Sequence, residues 1–168
     1  MEEKIFRSYD IRGIYPTEIN ENVAYKIGLA YGSILQEKYG QLSCIVSHDN
    51  RLSSPSLHDY LIKGLLETGI NVIDYGLTTT PMNYFARHIN NLYGIMITAS
   101  HNPSNENGFK FSFDPYANAR GEMIEEFKNY VLKNNFLKGT GRLIKKDIKE
   151  EYLNYLKNNI NLGNKQLK

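Results

Sequence analysis

The sequence has little cysteine, no tryptophan and no long apolar run. Its single cysteine, Cys44, cannot form an internal disulfide, and its apolar neighbours predict a buried strand. We therefore expect a reduced, structural thiol in a cytoplasmic protein. No segment approaches the roughly 20 apolar residues that a membrane span needs, and the first ten residues lack the apolar stretch of a signal peptide. A membrane location is not expected.

Other absences exclude further classes of function. The 20 basic and 18 acidic residues leave a net charge of only +2, so no nucleic acid or anionic membrane is expected as a partner. The absence of a glycine-rich nucleotide loop argues against ATP or NAD binding. No pair of histidines has the H-E-x-x-H spacing of a zinc site. We expect His58 and His88 to be surface or half-buried helix residues.

What the sequence does contain is an alternation of helical and strand-like segments. Length and a hydrophobic content of 41% fit one globular domain, which we place at residues 1–160, with 161–168 as a tail or the start of a linker. Helices are predicted over 21–38, 54–68, 80–89, 121–134 and 147–160, and strands over 42–47, 70–75, 93–98 and 108–113. Ser54 and Thr80 are the expected N-caps, each followed by proline.

This order of segments predicts an α/β fold with three layers, α/β/α, around a four-stranded mixed sheet. The first three strands are expected to be parallel. The fourth follows too soon for a crossover helix and is expected to be antiparallel. In that strand Phe109, Phe111 and Phe113 alternate with Lys110 and Ser112, so the phenylalanines should face the core. In the next helix we expect Met123, Phe127 and Val131 to point inward.

Three polar loops follow the three parallel strands, at residues 48–55, 76–81 and 98–108. Ligands of parallel α/β sheets bind outside the carboxyl ends of the strands. The candidate site is therefore expected where these loops meet.

Ser100, in the segment T-A-S-H-N-P-S-N-E-N-G-F-K (98–110), has several interpretations. A hydrolase nucleophile would need a base, but adjacent side chains such as His101 rarely meet, and the G-x-S-x-G elbow is absent. An isolated serine in a polar loop is by default a structural cap. The position at the expected site, with Lys110 and the permissive Gly108 nearby, favours a functional role.

The segment F-R-S-Y-D-I-R-G (6–13) is the second unusual stretch. Arg12 offers a planar fork suited to phosphate, which would make this an anion-binding arm. The alternative is a solvated segment with one surface ion pair around Asp10. The residues alone leave both interpretations open.

Four motifs together resemble the first domain of the α-D-phosphohexomutases, closest to the phosphomannomutase/phosphoglucomutase branch. They are F-R-S-Y-D-I-R-G (6–13), S-H-D-N-R-L-S-S-P (47–55), T-T-T-P (78–81) and the Ser100 segment (98–110). The resemblance implies a phosphoserine at Ser100 that exchanges its phosphoryl group with a hexose phosphate, through a hexose 1,6-bisphosphate intermediate. It also implies Mg²⁺, with the phosphate on Ser100 as one of the metal's ligands.

The resemblance further implies roles for five other residues. Lys110 matches the lysine beside the phosphoserine, as an acid/base and charge stabiliser. Arg12 and Tyr9 match the edge contributed by the N-terminal arm. His101 and Asn102 flank the serine and position the loop, and His101 can donate a hydrogen bond to the phosphate.

The sequence also departs from the family pattern. His48 stands where family members usually have arginine in Arg-Asp-x-Arg, whereas Asp49 and Arg51 match. The Asp-Gly-Asp-x-Asp magnesium loop, the sugar-recognition loop and the phosphate-binding domain are absent from these 168 residues. We expect the chain to be the first of four domains, packed against the missing three and inactive alone. The alternative is a free-standing, non-catalytic domain that binds sugar phosphates or a partner protein.

Overall fold

The computed structural model describes residues 2–160. The predicted tail, 161–168, lies outside the described residues. After a short 3₁₀ helix at Glu3–Ile5, the elements are β1 (Ile11–Ile14), α1 (Glu21–Tyr39), β2 (Ser43–His48), α2 (Ser54–Glu67), β3 (Asn71–Leu77), α3 (Thr80–Asn90), β4 (Tyr93–Ile97), β5 (Glu106–Phe111), α4 (Glu122–Lys133), β6 (Leu143–Lys145) and α5 (Lys149–Asn159). None of the helices within residues 2–160 has both the length and the apolar character needed to cross a membrane.

The sheet has six strands, in the order β1-β5-β4-β2-β3-β6. The prediction of three parallel strands followed by an antiparallel one is confirmed by β2, β3, β4 and β5. The prediction of only four strands is wrong, because β1 adds antiparallel to β5 and β6 adds parallel to β3. Both additions are short edge strands, of four and three residues, and β6 is exposed throughout. Neither is long enough to show the apolar run from which the central strands were predicted.

The helices begin and end within one or two residues of their predicted limits. Gly40 adopts a left-handed φ of 62° just past α1, a conformation that favours glycine. The residues that precede α2 and α3 are Ser53 and Thr79, so Ser54 and Thr80 are first helical residues rather than N-caps. The prolines at positions 55 and 81 still occupy the first turn of each helix.

The predicted three layers are confirmed by two hydrophobic clusters, one on each face of the sheet. The larger joins the strands to α1, α2 and α4, and the smaller packs α3 and the start of α5 against β2 and β3. Phe109, Phe111 and Phe113 lie in the larger cluster, as their alternation predicts, and the ring of Phe111 lies 4.7 Å from that of Phe127. This packing holds β5 rigidly against the core.

Two predicted burials are wrong. Met123 is 45% exposed, and Ile124, three residues before Phe127, takes the inward position instead, whereas Phe127 and Val131 are buried as predicted. His58 is buried, with its Nε2 2.7 Å from Asp74 Oδ1. Burial opposes ionisation of Asp74, but the contact with His58, the Gly76 N–H and the charge of Lys145 together outweigh it and lower the pKa of the carboxyl.

Cys44 is fully buried in β2, as the sequence predicts. Burial in this apolar setting raises the pKa of its thiol, which keeps the group protonated and unreactive at neutral pH. The thiol is therefore a packing group.

Candidate functional site

The loops that follow β2, β3 and β4 meet at the carboxyl edge of the sheet and enclose a hollow of about 700 Å³. The first loop contributes Asp49 and Asn50, the second contributes residues 78–80, and the third contributes Ser100 and His101. Lys149, the first residue of α5, lines the same space. We call this space the Ser100 hollow. Its position agrees with the rule for parallel α/β sheets.

Ser100 lies at an exposed turn with a strained backbone. Its φ is 58°, in the left-handed region, where a residue other than glycine is disfavoured by roughly 1–2 kcal/mol. The Ser100 N–H donates to Thr98 Oγ1 at 2.9 Å, and the Asn102 N–H donates to the carbonyl of Ala99 at 3.1 Å. Strained residues of this kind are common at functional sites, and they persist only where the surrounding structure holds them in place.

A second hollow, of about 420 Å³, also borders the loop that carries Ser100. It is strongly charged, and we call it the Arg12 hollow. Its lining residues are Arg7, Tyr9, Asp10, Arg12, Asn102, Glu106 and Lys110. The two hollows are neighbours: Asn102 lines this one and His101 lines the first, and Lys110 of this hollow pairs across the sheet with Met96 of the first.

Asp10 holds the two principal cations of the Arg12 hollow. Its Oδ2 accepts from Arg12 Nη2 at 2.5 Å and from Lys110 Nζ at 3.3 Å. Asp10 is only 6% exposed, so these charges interact in a region of reduced dielectric. Arg12 Nη1 also donates to Asn102 Oδ1 at 2.6 Å, which ties the N-terminal arm to the Ser100 loop.

The pairing of β1 with β5 explains why Arg12 and Lys110 share a face. Arg12 lies opposite Gly108, and Lys110 is two residues further along the same face of β5. A Cβ on Gly108 would lie 2.1 Å from the carbonyl oxygen of Ile11, so only glycine allows this approach of β1. The close approach brings the Arg12 guanidinium over β5.

The structure divides the six residues singled out from the sequence into two groups. Tyr9, Arg12, Asn102 and Lys110 lie together in the Arg12 hollow. Ser100 and His101 line the neighbouring Ser100 hollow.

Two residues of the site were missed by the sequence analysis, Asp10 and Lys149. The i, i+2 spacing of Asp10 and Arg12 was a usable signal, because it would place both side chains on one face of an extended segment. Lys149 carries no such signal, since α5 reaches the site only through tertiary packing. Within residues 2–160, no group of three or more His, Cys, Asp or Glu side chains has an arrangement that could hold a metal ion.

Comparison with known proteins gives a consistent result. Residues 3–138 match the family model described as phosphoglucomutase/phosphomannomutase, alpha/beta/alpha domain I. The chain is 39% identical over 162 residues to a phosphoglucomutase of Neisseria meningitidis, covering 94% of the chain and 35% of that relative. It is 38% identical over 168 residues to a phosphomannomutase/phosphoglucomutase of Pseudomonas putida, again covering 35% of the relative.

Solved structures agree. A phosphoglucomutase/phosphomannomutase family protein from Burkholderia thailandensis superposes with a TM-score of 0.87 at 32% identity, over 96% of this chain and 37% of that one. The chain thus spans about a third of the length of the curated relatives it matches, 35% in each case above. The resemblance inferred from the four motifs is confirmed: the chain belongs to the phosphoglucomutase/phosphomannomutase family, of which it carries the α/β/α domain I.

Proposed function

We propose that this chain is the phosphoserine-bearing domain of a phosphohexomutase that interconverts hexose 6-phosphate and hexose 1-phosphate. The observation that carries the proposal is the placement of Ser100. A strained turn presents Ser100 at the carboxyl edge of the sheet, in a wide hollow that has a cationic hollow as its neighbour. The names of the relatives supply the reaction class.

In the proposed reaction, the O1 hydroxyl of a hexose 6-phosphate attacks the phosphorus on Ser100. The bond from phosphorus to Ser100 Oγ breaks as the bond to O1 forms. The proton of the O1 hydroxyl is transferred to Oγ, so that Ser100 regains its hydroxyl group. The product is hexose 1,6-bisphosphate. After this intermediate turns around, its 6-phosphoryl group moves to Ser100 Oγ by the reverse step, and hexose 1-phosphate leaves.

Phosphoryl transfer depends on charge neutralisation and in-line alignment more than on a strong base. Lys110 and Arg12 are the cations placed to supply neutralisation, and both are already held in the Arg12 hollow by Asp10. Lys110 is also the candidate acid/base. Tyr9 is 69% exposed, so it can meet a sugar phosphate without losing internal packing.

The loop residues beside Ser100 have positioning roles in this proposal. Asn102 joins the loop to Arg12 through its Oδ1 and to Glu106 through its Nδ2, at 2.6 Å in each case. His101 is exposed on the Ser100 side, where its ring can donate a hydrogen bond to a phosphate.

The residues of this chain do not fit a complete magnesium site. Magnesium prefers an octahedral set of oxygen ligands, and no cluster of carboxylates within residues 2–160 provides one. The chain would contribute only the phosphate on Ser100, so we propose that Mg²⁺ is held mainly by carboxylates of a further domain.

We propose that the full-length enzyme contains three further domains that pack on this one, bind the sugar and hold the metal. The supporting observation is the length of the relatives, of which the chain covers 35%. We also propose a cytoplasmic location, in keeping with the buried, reduced Cys44.

The test compares the purified chain with the product of the longer reading frame that would contain it, which we call the full-length enzyme. Both are assayed with glucose and mannose phosphates, Mg²⁺ and a trace of hexose 1,6-bisphosphate. We expect turnover by the full-length enzyme and only a trace by the isolated chain. Substantial turnover by the isolated chain would contradict the proposal, and a stop codon directly after Lys168 would favour the free-standing binding domain.

A further inference from the structure

Arg51 lies beneath the Ser100 loop and uses its whole guanidinium group to hold that loop. The side chain is only 12% exposed, and its Nε lies 3.3 Å from Asp49 Oδ2. Its two terminal nitrogens donate four hydrogen bonds to backbone carbonyls of the loop. The acceptors are the carbonyls of Pro103 (2.6 Å) and Glu106 (3.0 Å) for Nη1, and of Ser100 (3.1 Å) and Asn102 (2.7 Å) for Nη2.

Asp49 fixes Arg51 in turn. Its carboxylate accepts from the Arg51 N–H at 3.1 Å and from Ser54 Oγ at 2.6 Å, at the first residue of α2. The Asp49 N–H donates to the carbonyl of Ile97 at 3.0 Å, the last residue of β4. Arg51 and Asp49 therefore connect the loop to two rigid elements, α2 and β4. Accurate positioning of a reacting group generally requires such support from rigid elements.

One of these contacts bears directly on the strained residue. The carbonyl of Ser100 accepts from Arg51 Nη2, while the Ser100 N–H is held by Thr98 Oγ1. These two hydrogen bonds fix both backbone polar groups of Ser100, the residue whose φ is 58°. Because N–H and C=O point in opposite directions across a trans peptide, the N–H of His101 points away from Arg51.

We infer that Arg51 is the positioning residue for the phosphoryl carrier: it holds Ser100 in the conformation from which the phosphoryl group is transferred, without touching the substrate. The catalytic part of this inference rests on the proposed function. The ordering of the loop by Arg51 does not depend on that function. A lysine cannot replace Arg51, because an ammonium group has three donors from one point and cannot span four carbonyls and a carboxylate.

The first experiment tests the loop alone and does not depend on catalysis. Hydrogen exchange is measured by mass spectrometry on the purified chain and on Arg51→Lys and Arg51→Ala. The matched control is Arg142→Lys, at an exposed arginine far along the chain. We expect both Arg51 variants to exchange faster in the peptides covering residues 98–106, with the core strands β2 and β4 unchanged. Unchanged exchange in the loop, with the protein folded, would overturn the inference.

The second experiment tests positioning in the full-length enzyme. Arg51→Lys and Arg51→Ala should lower kcat by about 100-fold with little change in KM, as expected for a misplaced reacting group. Added guanidinium at low concentration should restore most of the lost kcat of Arg51→Ala, whereas equal potassium chloride should not. A merely structural role would give no such rescue.

The two experiments separate the possible failures. If the loop exchanges faster but the wild-type full-length enzyme has no mutase activity, the proposed function fails while the contact described here stands. If the wild type is active and the Arg51 variants keep its kcat, the positioning role is overturned.

Discussion

The two neighbouring hollows that border the Ser100 loop differ in charge and in how firmly their side chains are held. The Ser100 hollow is wide and lined by neutral polar and apolar side chains, with Asp49 and Lys149 as its charged residues among those described. The Arg12 hollow is smaller and ionic, and two of its cations, Arg12 and Lys110, are already paired with the buried Asp10. Ser100 thus lines a wide space, and the paired cations of β1 and β5 line the hollow next to it.

This difference suggests a division of labour within one domain. Under the proposed function, a broad, weakly charged space would suit a bisphosphate intermediate that turns around between the two transfers. A preformed ion cluster suits the brief stabilisation of charge during transfer, because fixed charges need no reorganisation at that moment. The predictions that follow test whether the two hollows contribute in these different ways.

The largest effect is expected at the carrier itself. Ser100→Ala in the full-length enzyme should abolish mutase activity, because the proposed reaction transfers the phosphoryl group through Ser100 Oγ. Fluorimetric or coupled assays of hexose 6-phosphate formation measure this. Ser104→Ala, at an exposed serine of the same loop, is the matched control and should keep wild-type activity. Loss of activity in both variants would mean that the loop, rather than Ser100, is needed.

The next effect concerns the ionic hollow. Lys110→Met removes a cation but keeps the length of the side chain, and kcat should fall by about 100- to 1,000-fold, as for loss of one group that stabilises transition-state charge. Lys110→Arg should keep part of the rate, since the charge remains. Lys138→Met, at an exposed lysine, serves as the control in steady-state assays. Equal rates for Lys110→Met and the wild type would remove Lys110 from the mechanism.

A smaller effect is expected at Asp10, which arranges the cations. Asp10→Asn should lower kcat by about tenfold and destabilise the fold by about 1–3 kcal/mol, because Arg12 and Lys110 lose a buried charged partner. Urea unfolding of the isolated chain measures the second quantity. Asp59→Asn, whose side chain is 81% exposed, should change neither. A fully active and stable Asp10→Asn protein would show that the pairing is incidental.

The smallest effect belongs to the Ser100 hollow. Lys149→Ala should raise KM for the sugar phosphate only a few-fold, because an exposed charge contributes about 0.2–1 kcal/mol to an ionic contact. Lys157→Ala, on the same helix, is the control. A loss of kcat as large as that of Lys110→Met would contradict the division between the two hollows.

Much of the fold was accessible from the sequence because its central strands are rich in apolar residues. β2 and β4 are buried on both faces, so their sequences carry a strong signal, as does the alternation in β5. The edge strands were missed for the opposite reason. β6 is fully exposed, and β1 lies in a stretch whose charged residues suggested an irregular arm.

The same reasoning separates what could be predicted of the site from what could not. Ser100, Lys110 and Arg12 could be assigned to the site from the sequence because each lies within a short, continuous motif. The partition into two hollows could not be predicted, since it depends on the course of the loop between Ser100 and Asn102. The burial of His58 was missed because its partner, Asp74, belongs to another element.

The central claim is that Ser100 carries a phosphoryl group between two positions of a sugar, and transfer of a label tests it most directly. The full-length enzyme is loaded from hexose 1,6-bisphosphate with labelled phosphoryl groups, digested and mapped, and a second sample is chased with unlabelled hexose 6-phosphate. We predict label on Ser100 in the peptide containing residues 98–110, and its movement into hexose 1,6-bisphosphate during the chase. Label on another residue, or label on Ser100 that the sugar phosphate does not remove, would contradict the claim.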